Sequence, residues 1–415
     1  MSMGMEYTDK DVEAIRKGYA EGSFVVNNTD AGTTKTVNLN FTPKVVIFFV
    51  QGNQTSATGL NENATSASHL SYGATDGTNS WAVGSSTHYG SPQTGQANAA
   101  RIVTNDTCLQ CITQGEVEDW ELAPSGVWSF DFSVDVTGAP TDDRRVHYIA
   151  FGGTVVEGEV GTYNVPNSAG GATVDITLPF TPDWIMNGGA FGGNASVNTP
   201  TNHGYGMLGF SNGTNHFHIS NSVIDAAVTT NNGAGLAYDR FDDLISQGAS
   251  PTFDGPTCTS VSLGTTTTLT YSARKAASAV RGYVAISGIT MEVHQDLVPT
   301  TDGTSDLTTT HNAKSCLLFS HGRNGTTGPN ANLFIGVGSN SYNGCAGRAF
   351  KGQASANVVY KNTSDVDALA LGVNSAGSAL GLGDATLSIS GTTITTDWNN
   401  VNGVANLFAV ISFGD

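Results

Sequence analysis

Phe41-Thr42-Pro43-Lys44-Val45-Val46-Ile47-Phe48-Phe49 is the stretch on which the fold turns, because it returns 139 positions later as Phe180-Thr181-Pro182-Asp183-Trp184-Ile185-Met186 (41 to 180). A proline that halts one element just before an apolar run marks a turn feeding a buried strand. Outward from it, Gly22-Ser23-Phe24 leads into the first copy and Gly161-Thr162-Tyr163 into the second, at the same offset. Further on, Asp76-Gly77-Thr78-Asn79 precedes Trp81 and Asn212-Gly213-Thr214-Asn215 precedes Phe217. Asp-Gly and Asn-Gly are the pairs that hairpin turns prefer. The copies close alike, on Tyr148-Ile149-Ala150-Phe151-Gly152 and on Tyr283-Val284-Ala285-Ile286-Ser287-Gly288.

A third ending, Phe408-Ala409-Val410-Ile411-Ser412-Phe413-Gly414, signals a third and more diverged copy. It lacks Phe-Thr-Pro, and its opening strand is expected between Met291 and Leu307. Its middle is anchored by Gly352-Gln353-Ala354, which repeats Gly95-Gln96-Ala97, and the same offset of 257 carries Gly115 onto Gly372. The resulting division is an arm over 1–21 and repeats over 22–153, 154–288 and 289–415. Within the first repeat Trp128, Phe130, Phe132, Val134 and Val136 alternate with Ser129, Asp131, Ser133 and Asp135, the period of a strand with one dry face and one wet face. With 51 glycines and 39% hydrophobic residues, short strands joined by many turns follow. The expected fold class is all-β, three tandem antiparallel β-sandwich domains with jelly-roll or immunoglobulin-like connections.

One segment departs from this pattern. Thr8 can cap a short N-terminal helix with Asp11 in its first turn; Val12, Ile15 and Tyr19 then share a face and Gly22 ends it. Such a helix covers the open end of the first sandwich or serves as an anchoring arm for a neighbouring subunit.

The net charge of −18 comes from 17 Lys+Arg against 35 Asp+Glu, with charged residues only 13% of the chain. A surface so poor in bases repels phosphate backbones and anionic lipid, which excludes nucleic acid as a partner. No apolar run reaches the length that spans a bilayer, and Met1 to Tyr7 lacks the form of a signal peptide, so membrane insertion is not expected and the chain is expected to be made in a cytosol. Cys108, Cys111, Cys258, Cys316 and Cys345 are an odd, unevenly spaced set and read as free thiols.

Several constellations invite chemistry. Cys108-Leu109-Gln110-Cys111 has a spacing that suits zinc or a redox dithiol, but the repeat sets Cys108 opposite Phe241 and Asp365 and Cys111 opposite Leu244 and Ala368, so packing is the expected role. His216-Phe217-His218 puts two imidazoles on one strand face, where the first repeat has Ser80-Trp81-Ala82; they are expected to be outward, variable residues. His69, His88, His203, His294, His311 and His321 have no repeat-matched partners. Asp142-Asp143-Arg144-Arg145 is expected to be a salt-bridged loop or a subunit contact. Asp225, Asp239, Asp242 and Asp243 are dense enough to supply the carboxylate pair of a glycoside hydrolase, although Asp239 to Asp243 equally suit the start of a short helix before Leu244-Ile245. Trp81, His88 and Tyr89, in Asn/Gly-rich surroundings, suit polar ligands such as glycans. No catalytic, cofactor-binding or metal residue is assigned, and no enzyme or cofactor is expected.

Gly-x-(Tyr/Phe), then Phe-Thr-Pro before an apolar strand, a Gly-rich hairpin and a closing Tyr-(Ile/Val)-Ala-x-x-Gly resemble the tandem β-sandwich repeats of virion proteins of tailed bacteriophages. The resemblance covers about two thirds of the chain and departs at the opening of the third copy. It implies a structural role in a virion, with other virion proteins as partners, either as a capsid decoration protein or as a tail fibre that recognises a host-surface glycan, and a possible homo-oligomer. It transfers no catalytic or ligand residue.

Overall fold

The computed structural model describes residues 17–51, 60–62, 68–87, 98–104, 106–112, 118–140, 143–166, 171–190, 203–224, 233–243, 257–272, 280–321, 327–328, 333–353, 356–364, 367–373, 379–401 and 406–415. Among them the chain is all-β, and its strands pair antiparallel. One strand order occurs three times. In the first repeat a six-stranded sheet runs Gly18–Val26, Arg144–Gly152, Pro43–Gln51, Ser68–Thr75, Ser80–Thr87, Asn98–Thr104, so the opening strand lies beside the closing one. The second repeats that order as Glu157–Asn164, Val280–Ser287, Trp184–Gly189, His203–Ser211, His216–Ile224, Gly233–Ala237. The third gives Thr290–Leu297, Leu407–Gly414, Ala313–Ser320, Leu333–Gly338, Asn343–Gln353, Ala356–Ser364.

A smaller sheet accompanies each large one. Their orders are Thr34–Asn38, Asp131–Gly138, Glu118–Ser125, Leu109–Ile112, then Ala172–Thr177, Thr266–Tyr271, Cys258–Ser262, then Gly303–Thr308, Thr393–Asn399, Ala379–Ser390, Leu369–Val373. Two short strands cross between repeats. Leu60–Glu62 of the first pairs with Ala356–Ser364 of the third, and Thr327–Gly328 of the third pairs with Gly233–Ala237 of the second. Each covers the last edge of a neighbour's large sheet, where unpaired backbone groups would otherwise be exposed.

The unbroken apolar runs have a direct cause. A strand with one dry face alternates, whereas a strand with two dry faces does not. Val45, Ile47 and Phe49 lie in one core cluster, and Val46, Phe48 and Val50 in another. The first cluster is shared: it also holds Trp184 and Met186 of the second repeat and Leu317 and Phe319 of the third. The closing strands divide likewise, with Phe151, Ile286 and Phe413 turned into the shared core. Phe151 and Phe413 meet edge to face, with ring centroids 4.9 Å apart. Each small sheet seals the opposite face with a core of its own, built round Trp120 and Phe132 in the first repeat, Leu269 and Tyr271 in the second, and Ile394 and Trp398 in the third.

Contacts between repeats run in a circle. Trp81 of the first, fully buried, donates from Nε1 to the Tyr283 carbonyl at 3.0 Å and lies flat over Gly282 and Gly188 of the second. Phe217 of the second packs on Phe319 of the third, centroids 5.3 Å apart, while Tyr238 donates to the Phe408 carbonyl at 3.1 Å. Tyr342 of the third closes the circle on His147 of the first, its hydroxyl 2.7 Å from Nδ1. The turns preceding these residues make equivalent contacts: Val160 N donates to Asp76, and Asn212 Nδ2 to the Met291 carbonyl. Gly77 and Gly213 shape two of these turns with φ of 89° and 85°, which only glycine adopts readily.

The structure corrects several sequence-based expectations. Residues 8–16 lie outside the described residues, but Tyr19 and Gly22 belong to the strand Gly18–Val26 and not to a helix. Backbone pairing of Tyr19 with Phe151 and of Gly22 with Tyr148 outweighs the helical spacing. Phe130 does not continue the buried alternation; it is 56% exposed, because the strand starts only at Asp131. The opening strand of the third repeat lies where it was expected, at Thr290–Leu297, and a second strand, Gly303–Thr308, follows it.

A Cβ on Gly282 would stand 2.1 Å from the Trp81 ring. Gly282→Ala and Trp81→Ala should each destabilise, the latter by about 3–5 kcal/mol. The double variant should lose clearly less than the sum, because removing the ring removes the clash. Urea unfolding of the four proteins measures this coupling.

Candidate functional site

Among the described residues, a connected set of buried polar groups lies in the second repeat, between its large sheet and its small one. Strand pairing aligns Arg281 with Val146 of the first repeat and Phe408 of the third, and Tyr163 with Phe24 and Asp296. It also aligns Asn187 with Phe48 and Leu318. Polar side chains thus stand where the first repeat is apolar. Arg281 Nε lies 3.1 Å from Asp242 Oδ2, with both side chains at 0% exposure. Tyr271 donates to the same carboxylate at 2.9 Å, the Tyr163 hydroxyl is 3.2 Å from that of Tyr271, and Asn187 Nδ2 donates to Tyr163 at 3.1 Å.

The electrostatics of this chain follow from its enclosure. Burial pushes the Asp242 carboxyl up from its ordinary value, opposed by the Arg281 charge and the Tyr271 hydroxyl. Burial beside Asp242 likewise holds Tyr163 and Tyr271 as neutral phenols. A neutral phenol that donates to a carboxylate facing a guanidinium makes a network that the low dielectric strengthens, although Arg281 Nη2 and Asn187 Oδ1 have no partner among the described residues. Its chemistry is to hold charge in place. Arg240 treats the neighbouring carboxylates similarly, with Nε 2.7 Å from Asp239 and Nη1 2.7 Å from Asp243, and it draws Asp239 below the usual carboxylate range. The structure therefore brings Asp239, Asp242 and Asp243 together but gives each an arginine partner. Asp225 and the proposed helix after Asp243 lie outside the described residues.

Other candidates are distributed as follows. Cys108 and Cys111 are fully buried in the first repeat's own core; burial pushes the Cys108 thiol up, and its Sγ lies 3.2 Å from the Leu122 carbonyl. Equivalent backbone bonds, Cys108 N to Leu122 O, Phe241 N to Cys258 O and Ala368 N to Ala385 O, align Cys108 with Phe241 as expected but with Ala368 in the third repeat, three places from Asp365. All five cysteines are free and buried. His216 and His218 do share a strand face, but His218 is not outward: it is fully buried near Phe241 and Arg281. Trp81, offered as a ligand-facing aromatic, is a fully buried contact between repeats. His88, Tyr89 and Asp142 lie outside the described residues, and nothing is described of the side chains of His69 and His203.

Asp143 accepts from Asn28 N, Arg144 is buried, and Arg145 Nη1 donates to Ser23 at 2.9 Å. His321 is fully buried. His294 and His311 flank Glu292 at 3.9 and 3.5 Å, and burial lowers the pKa of both rings. Among the described residues no three His, Cys, Asp or Glu side chains form a metal site, and no helix is long and apolar enough to cross a membrane.

Arg281, Tyr271 and Asn187 were not singled out from sequence, and Tyr163 only as a landmark of the repeat. The signal was present in the aligned closing strands, where Val146-His147-Tyr148 faces Arg281-Gly282-Tyr283. No protein-family model matches this chain, and no curated protein matches it significantly.

Two outcomes follow. Asp242→Leu alone strands a buried guanidinium and should cost about 3–5 kcal/mol. Adding Arg281→Val, which restores the Leu109 and Val146 of the first repeat, should recover much of that loss in a thermal melt. Separately, burial draws His147 and His218 from 6.5 down to about 3. Below pH 6.5 the unfolded chain takes up protons on these rings that the folded chain refuses. Stability should therefore fall between about pH 6.5 and 3, by up to roughly 1.4 kcal/mol per pH unit per ring. His218→Ala should flatten that slope in urea midpoints measured against pH.

Proposed function

We propose that the chain is a non-enzymatic structural protein of a tailed-phage virion, built of three β-sandwich units round a common core, and that it coats the outside of the head as a decoration protein. The observation that carries this reading is the circle of contacts, first repeat to second, second to third and third to first, which lets one chain present itself as a trimer does. A particle face with threefold character accepts such a body. Its likeness in sequence pattern to tandem sandwich repeats of virion proteins supplies the context.

The outer strands suit a surface that faces solvent. Thr36 bonds Ser133 at 2.8 Å, Thr268 donates to Asp175 at 2.8 Å and Thr395 to Asp306 at 2.6 Å, so short hydroxyl and carboxylate side chains pin one another across strands in each repeat. With a net charge of −18, such faces resist nonspecific adhesion. Attachment then falls to the ends of the units, where it adds contact area to the shell. A tail-fibre role is the alternative, and it differs in position.

Particles reconstructed by electron cryomicroscopy should show the chain over threefold positions of the head, and particles lacking it should lose resistance to heat and osmotic shock. Density confined to the tail, or full resistance without the protein, would overturn the reading.

A further inference from the structure

Where the third repeat meets the first, the structure contains a cleft of about 470 Å³. Glu21 lines it. Strand pairing sets Glu21 against Ile149, Val160 against Val284 and Val293 against Ile411, so the other two repeats carry valine at this place. Burial pushes the Glu21 carboxyl up from its ordinary value, opposed by hydrogen bonds with Ser315 and Ser339, and Oε1 is enclosed without a further partner among the described residues. A carboxyl group here costs stability that valine would not. Packing alone does not account for it.

At the rim, Lys17 and Lys314 form ion pairs with Asp415 at 3.4 and 3.6 Å, and the Tyr19 hydroxyl donates to the same carboxylate. Asn40, exposed, adds an amide. Lys17 and Lys314 share the Asp415 carboxylate, and burial favours the uncharged form of Glu21, so the cleft offers donors and acceptors with little net charge. A simple ion gains little from such a site, and a hydrocarbon would strip its polar groups of water. A neutral molecule carrying many hydroxyl groups meets both kinds of partner.

We propose that this cleft binds a neutral saccharide of about one or two sugar rings, with Glu21 accepting from ring hydroxyls and Lys17 and Lys314 donating to ring oxygens. The equivalent cleft between the second and third repeats is smaller, about 360 Å³, and is lined by Asp183, Asn212, Gly288, Thr290 and Met291, with Lys17 at the edge of both. With Val293 at the position of Glu21, it lacks that carboxyl, and its own carboxylate is that of Asp183. The assignment concerns the molecule alone and stands apart from its position on a particle.

Saturation-transfer NMR and calorimetry on the full chain, with glucose, galactose, mannose, N-acetylglucosamine and their disaccharides at millimolar concentration, test it. At least one sugar should bind saturably. Glu21→Val should weaken that binding at least about ten-fold while melting no lower than the parent. Lys314→Met, at a partly exposed rim position, is the second probe should Glu21→Val fail to fold, with the same weakening expected. No saturable binding by any sugar of the panel overturns the proposal, as does undiminished binding by the folded variant.

Discussion

A β-sheet with two apolar faces has to be covered twice, and that requirement organises this chain. Pro43–Gln51 buries Val46, Phe48 and Val50 against the small sheet of its own repeat, and Val45, Ile47 and Phe49 against the other repeats. The same division holds for Leu317 and Phe319 against Cys316 and Leu318. Side chains that alternate strictly across a strand leave no third option. A repeat in isolation would expose a whole apolar sheet face, far beyond what a monomer tolerates. Association of the repeats is therefore a condition of their folding.

Fusion of three copies lets each contact differ. Between the first and second repeats, Trp81 lies on Gly282 and Gly188, where bare backbone leaves room for an indole. Between the second and third, the place is taken by Phe217 on Phe319. Between the third and first, Gly344 occupies the strand position of Trp81 and Phe217, and Tyr342 reaches His147 instead. Three identical chains would need one solution to serve at all three places. Separate solutions keep the order of repeats unique.

Much of this is legible in the sequence, and the reasons are specific. The motif Gly-x-(Tyr/Phe) with a closing tyrosine is one interaction: the ring of Tyr148 lies over Gly22 and that of Tyr283 over Gly161, where a Cβ would meet the rings below 3 Å. In the third repeat the pair is His294 with Val410, so the signal vanishes although the pairing remains. Phe41-Thr42-Pro43 works the same way, with Phe41 and the Thr42 carbonyl crowding Gly152. Its counterpart is His311-Asn312-Ala313, whose histidine and carbonyl crowd Gly414. His311 thus had a partner in Phe41 that residue identity concealed. The shared core was not legible, because periodicity reports that both faces are dry without naming what dries the second.

The polar groups inside the molecule are the least legible part and the most individual. A core of pure hydrocarbon tolerates repacking, while a buried hydrogen-bond chain accepts few arrangements. Among the described residues, Asp242, Tyr271, Tyr163 and Asn187 form such a chain in the second repeat, and Arg281 faces it without leaving the core. Glu21 makes the first repeat equally distinct where it meets the third. Both features sit where a sister repeat shows an apolar residue to be sufficient for folding. Their cost is then set against something other than folding, whether the choice of neighbour inside the chain or the capture of a molecule outside it. Asp242, Arg281 and Asn187 are fully buried and fit the first role, whereas Glu21 lines a cleft and fits the second.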